Sequence, residues 1–191
     1  MKRTDSGYVG GGALCAIGRA DGEPGKALGH PIHPMLIVFP LGLLGTAVIF
    51  DVLYLVTDRS GFTVAAAYAI AAGVLGGLVA GVFGLIDWLA IPGGSRAKRI
   101  GSLHGMGNVV VLALFAASWL LRAGAEGWDP GVLALVCGFV GVALASITGW
   151  LGGELVDRLG VGVDEDANID APSSLSRGPA RSTGRRGASI G

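Results

Sequence analysis

Four apolar stretches, at 35–56, 66–91, 101–121 and 132–156, leave this chain few ways to fold. Each matches the roughly 20 residues that an α-helix needs to cross the hydrocarbon core of a bilayer. Lipid offers no hydrogen bonds to a peptide backbone, so a segment of this kind crosses as a helix that closes its own bonds. The expected fold is therefore all-α, a four-transmembrane-helix up-down bundle with short connections. Only 15% of the residues are charged, against about 25% in soluble domains. The formal net charge of +0 gives no ground for a nucleic-acid partner, and the lipid bilayer is the first partner the chain implies.

Around the transmembrane domain, 30–163, residues 1–29 are expected to form a loosely ordered leader and 164–191 a disordered tail rich in Gly, Ser and Arg. Lys2 and Arg3 make a positive start, but Gly10, Gly11 and Gly12 break the apolar stretch behind them, which is too weak for a signal peptide. Cys15 and Cys137 have neither metal-ligand nor Cys-x-x-Cys spacing. Pro40 is expected to kink the first span, and Pro92-Gly93-Gly94 to stop the second. Twelve Lys and Arg lie on the leader, middle-loop and tail side, against two, Arg59 and Arg122, on the other. The positive-inside rule then puts both termini in the cytoplasm. Small residues recur at every fourth position, at Gly73, Gly77, Gly81 and at Gly141, Ala145, Gly149, Gly153. These stripes read as internal packing ahead of a homo-oligomer contact.

With that topology, the polar residues of all four helices gather at the cytoplasmic level. His30 and His33 precede the first helix, Asp87 and Trp88 end the second, His104 and Asn108 open the third, and Glu154 closes the fourth. Ionisable groups at membrane depth are costly and usually face a bundle interior, which makes this layer the candidate site. Pro31 and Pro34 push the residues before them toward extended geometry, so the helix is expected to begin at Pro34 with both histidines on the lead-in. A polyproline-like lead-in would set those rings roughly 9 Å apart, too far to chelate one small ion together. His30 and His33 each read also as a cap or headgroup contact, Asp87 with Trp88 as an interfacial anchor, and Glu154 as a solvated helix end. His104 is better placed, at least a turn inside the third run. Asp51 stands apart near the outer end and reads as an interfacial aspartate rather than a proton carrier. Trp119, Trp128 and Trp150 suit packing or an aromatic belt.

The residues His30-Pro31-Ile32-His33-Pro34-Met35, Gly84-x-x-Asp87-Trp88, Arg99 with His104 and Asn108, and Gly152-Gly153-x-Leu155-Val156 before Gly160-Val161-Gly162-Val163 resemble an uncharacterised bacterial family of four-helix integral membrane proteins. The resemblance covers about residues 28–164. It implies a multi-pass protein of the bacterial inner membrane. Some members of that family are fused to a Rieske iron–sulfur domain, which implies a Rieske-type or other redox partner. This chain departs there, since its tail has no cysteine and no histidine to hold such a cluster.

Three mechanisms follow. In the first, the bundle holds a b-type haem or similar cofactor: helices one and three are diagonal in an up-down bundle, so His33 and His104 approach an iron from opposite sides. Gly101, Gly105 and Gly107 would leave room for the macrocycle, and Asp87 or Asn108 would orient a ring nitrogen. In the second, His33 and His104, with Glu154 as a weaker ligand, bind a divalent metal or relay protons. In the third, the layer is a structural clamp in a scaffold protein. A hydrolytic enzyme is least supported, because no nucleophile motif and no phosphate loop is present.

Overall fold

The computed structural model describes residues 26–27, 30–164 and 167–173, with Lys26, Ala27 and His30 described in backbone only. The leader expected at 1–29 lies outside the described residues except at Lys26–Ala27, which pair antiparallel with His30–Pro31. Of the tail expected at 164–191, residues 164 and 167–173 are described; they are exposed and outside any helix.

The first span runs from Ile32 to Thr57 in two pieces, α1 Ile32–Leu36 and α2 Val38–Thr57. The break falls at Ile37 because Pro40 has no N–H to return to the carbonyl of Leu36. The helix starts at Ile32 and not at Pro34. Pro31, extended at ψ 126, is its cap, and Pro34 becomes its third residue, where a backbone N–H has no helical partner to lose. His33 thereby enters the first turn. Then follow α3 Ser60–Ala90, α4 Arg96–Arg122 and α5 Val132–Gly153, which Glu154–Arg158 prolongs as a wider π-type turn. Each of the four spans is long and apolar enough to cross a membrane, reaching a few residues beyond the expected bounds at most ends.

α2 packs along α3, and α4 along α5; α3 meets α4, and α2 meets α5, more sparsely. That is the up-down order, with α2 diagonal to α4. Leu44, Ala47, Ala66, Ile70, Val111 and Phe115 form the core. Glycines admit its larger members: a Cβ on Gly73 would stand 2.7 Å from Leu44, one on Gly77 2.5 Å from Leu112, and one on Gly141 2.9 Å from the Phe115 ring. This is the internal packing expected of the small-residue stripes. Gly81, Gly149 and Gly153, on the same stripes, face open space. The outer surface is apolar, with Val109, Val132 and Trp150 among the side chains turned outward.

The buried residues reveal an internal repeat. Those of α2 are Pro40, Leu44, Ala47 and Asp51, and those of α4 include Val111, Phe115, Ser118 and Arg122, each 71 positions later. In the second helix of each hairpin, Ala66, Ile70, Gly73 and Ala80 are matched by Ala134, Gly138, Gly141 and Thr148; 148 minus 80 gives 68, and the other pairs agree. The bundle is therefore two copies of one helical hairpin around a pseudo-twofold axis that runs along the helices, the parallel type of membrane repeat. Equivalent side chains of α2 and α4 meet on that axis.

One such pair is Asp51 with Arg122. Both are closed off from the surroundings, at 2% and 0% exposure. Nη1 and Nη2 of Arg122 donate to Oδ1 and Oδ2 of Asp51 at 2.9 and 3.1 Å, in the bidentate fork that suits a guanidinium. Two further donors go to Ser118: Nη2 to its hydroxyl at 3.0 Å and Nε to its carbonyl at 3.3 Å, while that hydroxyl donates to the carbonyl of Ala134. Asp51 is thus no interfacial aspartate, and Arg122 is no loop residue. Beyond the pair, Tyr54 donates to Asp129 at 2.7 Å and Trp119 packs on Trp128, which closes this end of the bundle.

Asp51→Ala or Arg122→Ala is expected to destabilise the fold by about 3–5 kcal/mol, because either leaves a buried charge alone. The exchange Asp51→Arg with Arg122→Asp uses equivalent positions and should restore the fold except for the Ser118 bonds, worth about 1.5–3 kcal/mol. Thermal unfolding of the detergent-purified protein, followed by size-exclusion fluorescence, reads both outcomes; an exchange variant no better than the single variants would contradict the pairing.

Candidate functional site

At the opposite end the second on-axis pair is His33 with His104, again 71 residues apart, their ring centroids 6.3 Å from each other and their planes at 87°. Each ring is held in the same way. Nδ1 of His33 donates to the carbonyl of Ala80 on α3 at 2.8 Å, and Nδ1 of His104 donates to the carbonyl of Thr148 on α5 at 2.8 Å. A carbonyl accepts only, so Nδ1 carries the proton, and in the neutral ring Nε2 keeps its lone pair.

The sequence explains how a side chain reaches a carbonyl that already serves a helix. In an α-helix the side chain at i+4 leans back over the carbonyl of residue i. Four residues after Ala80 stands Gly84, and four after Thr148 stands Gly152. The imidazoles occupy the space those absent side chains would fill: a Cβ on Gly84 would lie 2.8 Å from His33 Cε1, and one on Gly152 3.1 Å from His104 Cε1. Each carbonyl then uses its second lone pair.

The halves differ at Asn108, whose equivalent 71 positions earlier is Ile37. The Asn108 amide nitrogen lies 3.2 Å from Nε2 of His104, and its oxygen accepts from the Thr148 hydroxyl at 3.1 Å. His104, Asn108 and Thr148 thus close a hydrogen-bonded ring on the second hairpin. Asp87 is half-buried one turn beyond Gly84, the residue that His33 packs against.

Of the residues expected to form the site, the structure brings together His33, His104, Asn108 and Asp87. It keeps Glu154 apart: that carboxylate takes Arg96 at 2.7 Å at the bundle's edge. The side chain of His30 lies outside the described residues. Gly101 and Gly107 leave no space for a macrocycle, since the Trp88 indole fills the first and the Thr148 methyl the second, whereas Gly105 faces open space. Trp88 is clasped by the α3–α4 connection, with Nε1 3.2 Å from the carbonyl of Lys98 and from the hydroxyl of Ser102, and the Lys98 ammonium 3.8 Å over its ring. Among the described residues no group of three His, Cys, Asp or Glu can hold a metal ion. Sequence reasoning missed Ala80, Thr148 and the service of Gly84 and Gly152. The signal that finds them is the constant offset between hairpins, with His33 and Gly84 mapping onto His104 and Gly152.

Four apolar spans wrapped around internally satisfied polar pairs define a polytopic membrane protein. The family model described as Predicted membrane protein (DUF2231) matches residues 29–165, and the chain belongs to that family. No curated protein and no solved structure matches it.

Gly84→Ala is expected to push the His33 ring off its carbonyl and destabilise the bundle by about 1–3 kcal/mol, with Gly152→Ala milder because its contact is longer. Gly149→Ala, on the same helix face but in open space, should be neutral or stabilising by up to about 1 kcal/mol. Melting temperatures in one detergent compare the three; equal losses at all of them would mean that the imidazole contacts do not matter.

Proposed function

We propose that this protein is a redox-associated membrane module in which His33 and His104 would hold a b-type haem or a similar flat metal cofactor. The observation that carries the reading is the meeting of two equivalent imidazoles on the pseudo-twofold axis, centroids 6.3 Å apart. Two imidazoles converging on one axis from opposite hairpins would hold a metal-centred group between them. The Nδ1–H of each is fixed on a carbonyl, which is how a ligating histidine is normally oriented. Two donors are too few for a bare divalent ion, but a porphyrin brings four nitrogens and asks the protein for two. Such a group supplies one-electron chemistry when bound. Asn108, whose amide now lies against Nε2 of His104, and Asp87 would flank such a group as orienting residues.

The setting supports an electron-transfer partner, Rieske-type or other, on the histidine side. We place that side at the cytoplasm of a bacterial inner membrane, with both termini there. Burial of Arg122 sharpens the asymmetry, since it removes one of two cations from the opposite face. A second reading has its own observation. The closed ring of His104, Asn108 and Thr148 satisfies His104 without any ligand, as a structural clamp in a non-enzymatic scaffold would.

Visible spectra of detergent-purified protein, oxidised and then dithionite-reduced, decide between them. Cells grown with ample haem precursor should yield a reduced-minus-oxidised α-band that His33→Ala and His104→Ala each abolish. A colourless wild type that stays folded would sink the haem assignment and leave the clamp.

A further inference from the structure

The sparser contact between α3 and α4 leaves a lipid-facing groove with a charged end. On α3, Val74, Leu78, Gly81, Leu85 and Trp88 form one stripe, and on α4, Lys98, Ser102, Gly105, Val109 and Ala113 form the stripe opposite. The two ends of this register are observed directly. Trp88 bonds to Lys98 and Ser102 at one end. At the other, Val74, Leu78, Val109, Leu112, Ala113 and Ala116 line an open cavity of about 250 Å³ with no polar surface. Between them, Gly81 and Gly105 are both exposed, and a Cβ on either would meet nothing within 4 Å. Open space at both glycines therefore lies between the cavity and the Lys98 end.

The groove's charged end carries more cations than the start of α4 favours. Arg96, Lys98 and Arg99 all sit in the first turn of α4, where the helix dipole opposes cations. Glu154 answers Arg96. Lys98 lies over the Trp88 ring and donates to that residue's carbonyl at 2.7 Å, and Arg99 reaches the carbonyl of Gly94 at 3.3 Å. This leaves both cations at the edge of the groove with protons to offer an anion.

We propose that an anionic glycerophospholipid occupies the α3–α4 groove, with its phosphate on Lys98 and Arg99 and one acyl chain along Gly105 and Gly81 toward the cavity. The length suits this: Trp88 to Val74 is about 21 Å of helix at 1.5 Å per residue, and one leaflet of hydrocarbon is about 15 Å deep. A second copy of the chain is the poorer occupant. Two copies inserted in the same direction and joined by this face would bring Lys98 and Arg99 against Lys98 and Arg99.

Native mass spectrometry of the whole protein in mild detergent tests the proposal, with phosphatidylglycerol, phosphatidylcholine of the same chains, and glycerol phosphate as probes. One phosphatidylglycerol should be retained in preference to phosphatidylcholine, and Lys98→Gln and Arg99→Gln should each cut that preference about fivefold. Arg99→Gln guards against misfolding, because Lys98→Gln also loosens Trp88. Gly105→Leu, whose side chain enters open space, should weaken both lipids alike. Glycerol phosphate should not be retained; if it is held as well as the lipid, the site is one for free phosphate and the proposal fails. Equal retention of both lipids, or retention unchanged in Gly105→Leu, overturns it too. So does a dimer mass in the wild type that Gly105→Leu abolishes.

Discussion

A guanidinium and a carboxylate buried among apolar helices have to meet, because either one alone in that setting costs several kcal/mol. The rest of this bundle depends on that necessity. α2 and α4 are diagonal and make little backbone contact of their own, yet the Asp51–Arg122 fork fixes both their rotation and their axial register. Once it is closed, the residues 18 positions back along each span are determined as well: 18 residues are five full turns, and Ile37 keeps helical dihedrals between α1 and α2, so they return to the same face. Those residues are His33 and His104. The ion pair at one end thus sets which side chains face each other at the other end, about 27 Å away at 1.5 Å per residue.

The second hairpin helices make the histidine pair permanent. A helix carbonyl has a lone pair to spare, but the side chain four residues on usually covers it. Glycine at 84 and at 152 uncovers it, and each imidazole sits in the notch with Nδ1 on the carbonyl below. The bonds tie α1 to α3 and α4 to α5, within each hairpin, whereas Asp51–Arg122 ties the hairpins to one another. The two kinds of polar contact therefore do different work: one builds the repeat unit, the other joins the units.

Composition and run length were enough for the four spans, because hydrocarbon imposes one backbone solution on long apolar segments. The start of the first helix was misjudged, since the rule that proline disfavours helix before it is a local preference, and packing of His33 on Gly84 outweighs it at a helix end. His33, His104, Asn108 and Asp87 were visible as polar residues at one level. The partner of Asp51 was hidden by position: Arg122 is the last residue of its helix, where an arginine ordinarily reads as a loop cation. Gly101 and Gly107 were misread because a glycine records only that something comes close, and here that something is Trp88 and Thr148. The repeat was legible all along in Met35 and Met106, Gly73 and Gly141, and Gly84 and Gly152. It needed the register of buried positions to stand out from the general abundance of glycine.

Duplication also explains what the two halves no longer share. A strictly symmetric pair of hairpins would place like residues on the axis, which suits two imidazoles but not two carboxylates or two guanidiniums. Opposite charges at 51 and 122 turn a self-complementary contact into one that only unlike halves can make, so the first hairpin is matched to the second and not to another first. Ser118, where the first half has Ala47, and Asn108, where it has Ile37, extend the same divergence to both layers. Between these layers the buried residues include Leu44, Ala47, Ile70, Val111 and Phe115, all apolar, with Leu44 and Phe115 packed onto glycine. A charge travelling from one layer to the other would meet no buried polar group among them. The histidine pair and the ion pair are accordingly two separate polar layers, divided by apolar packing.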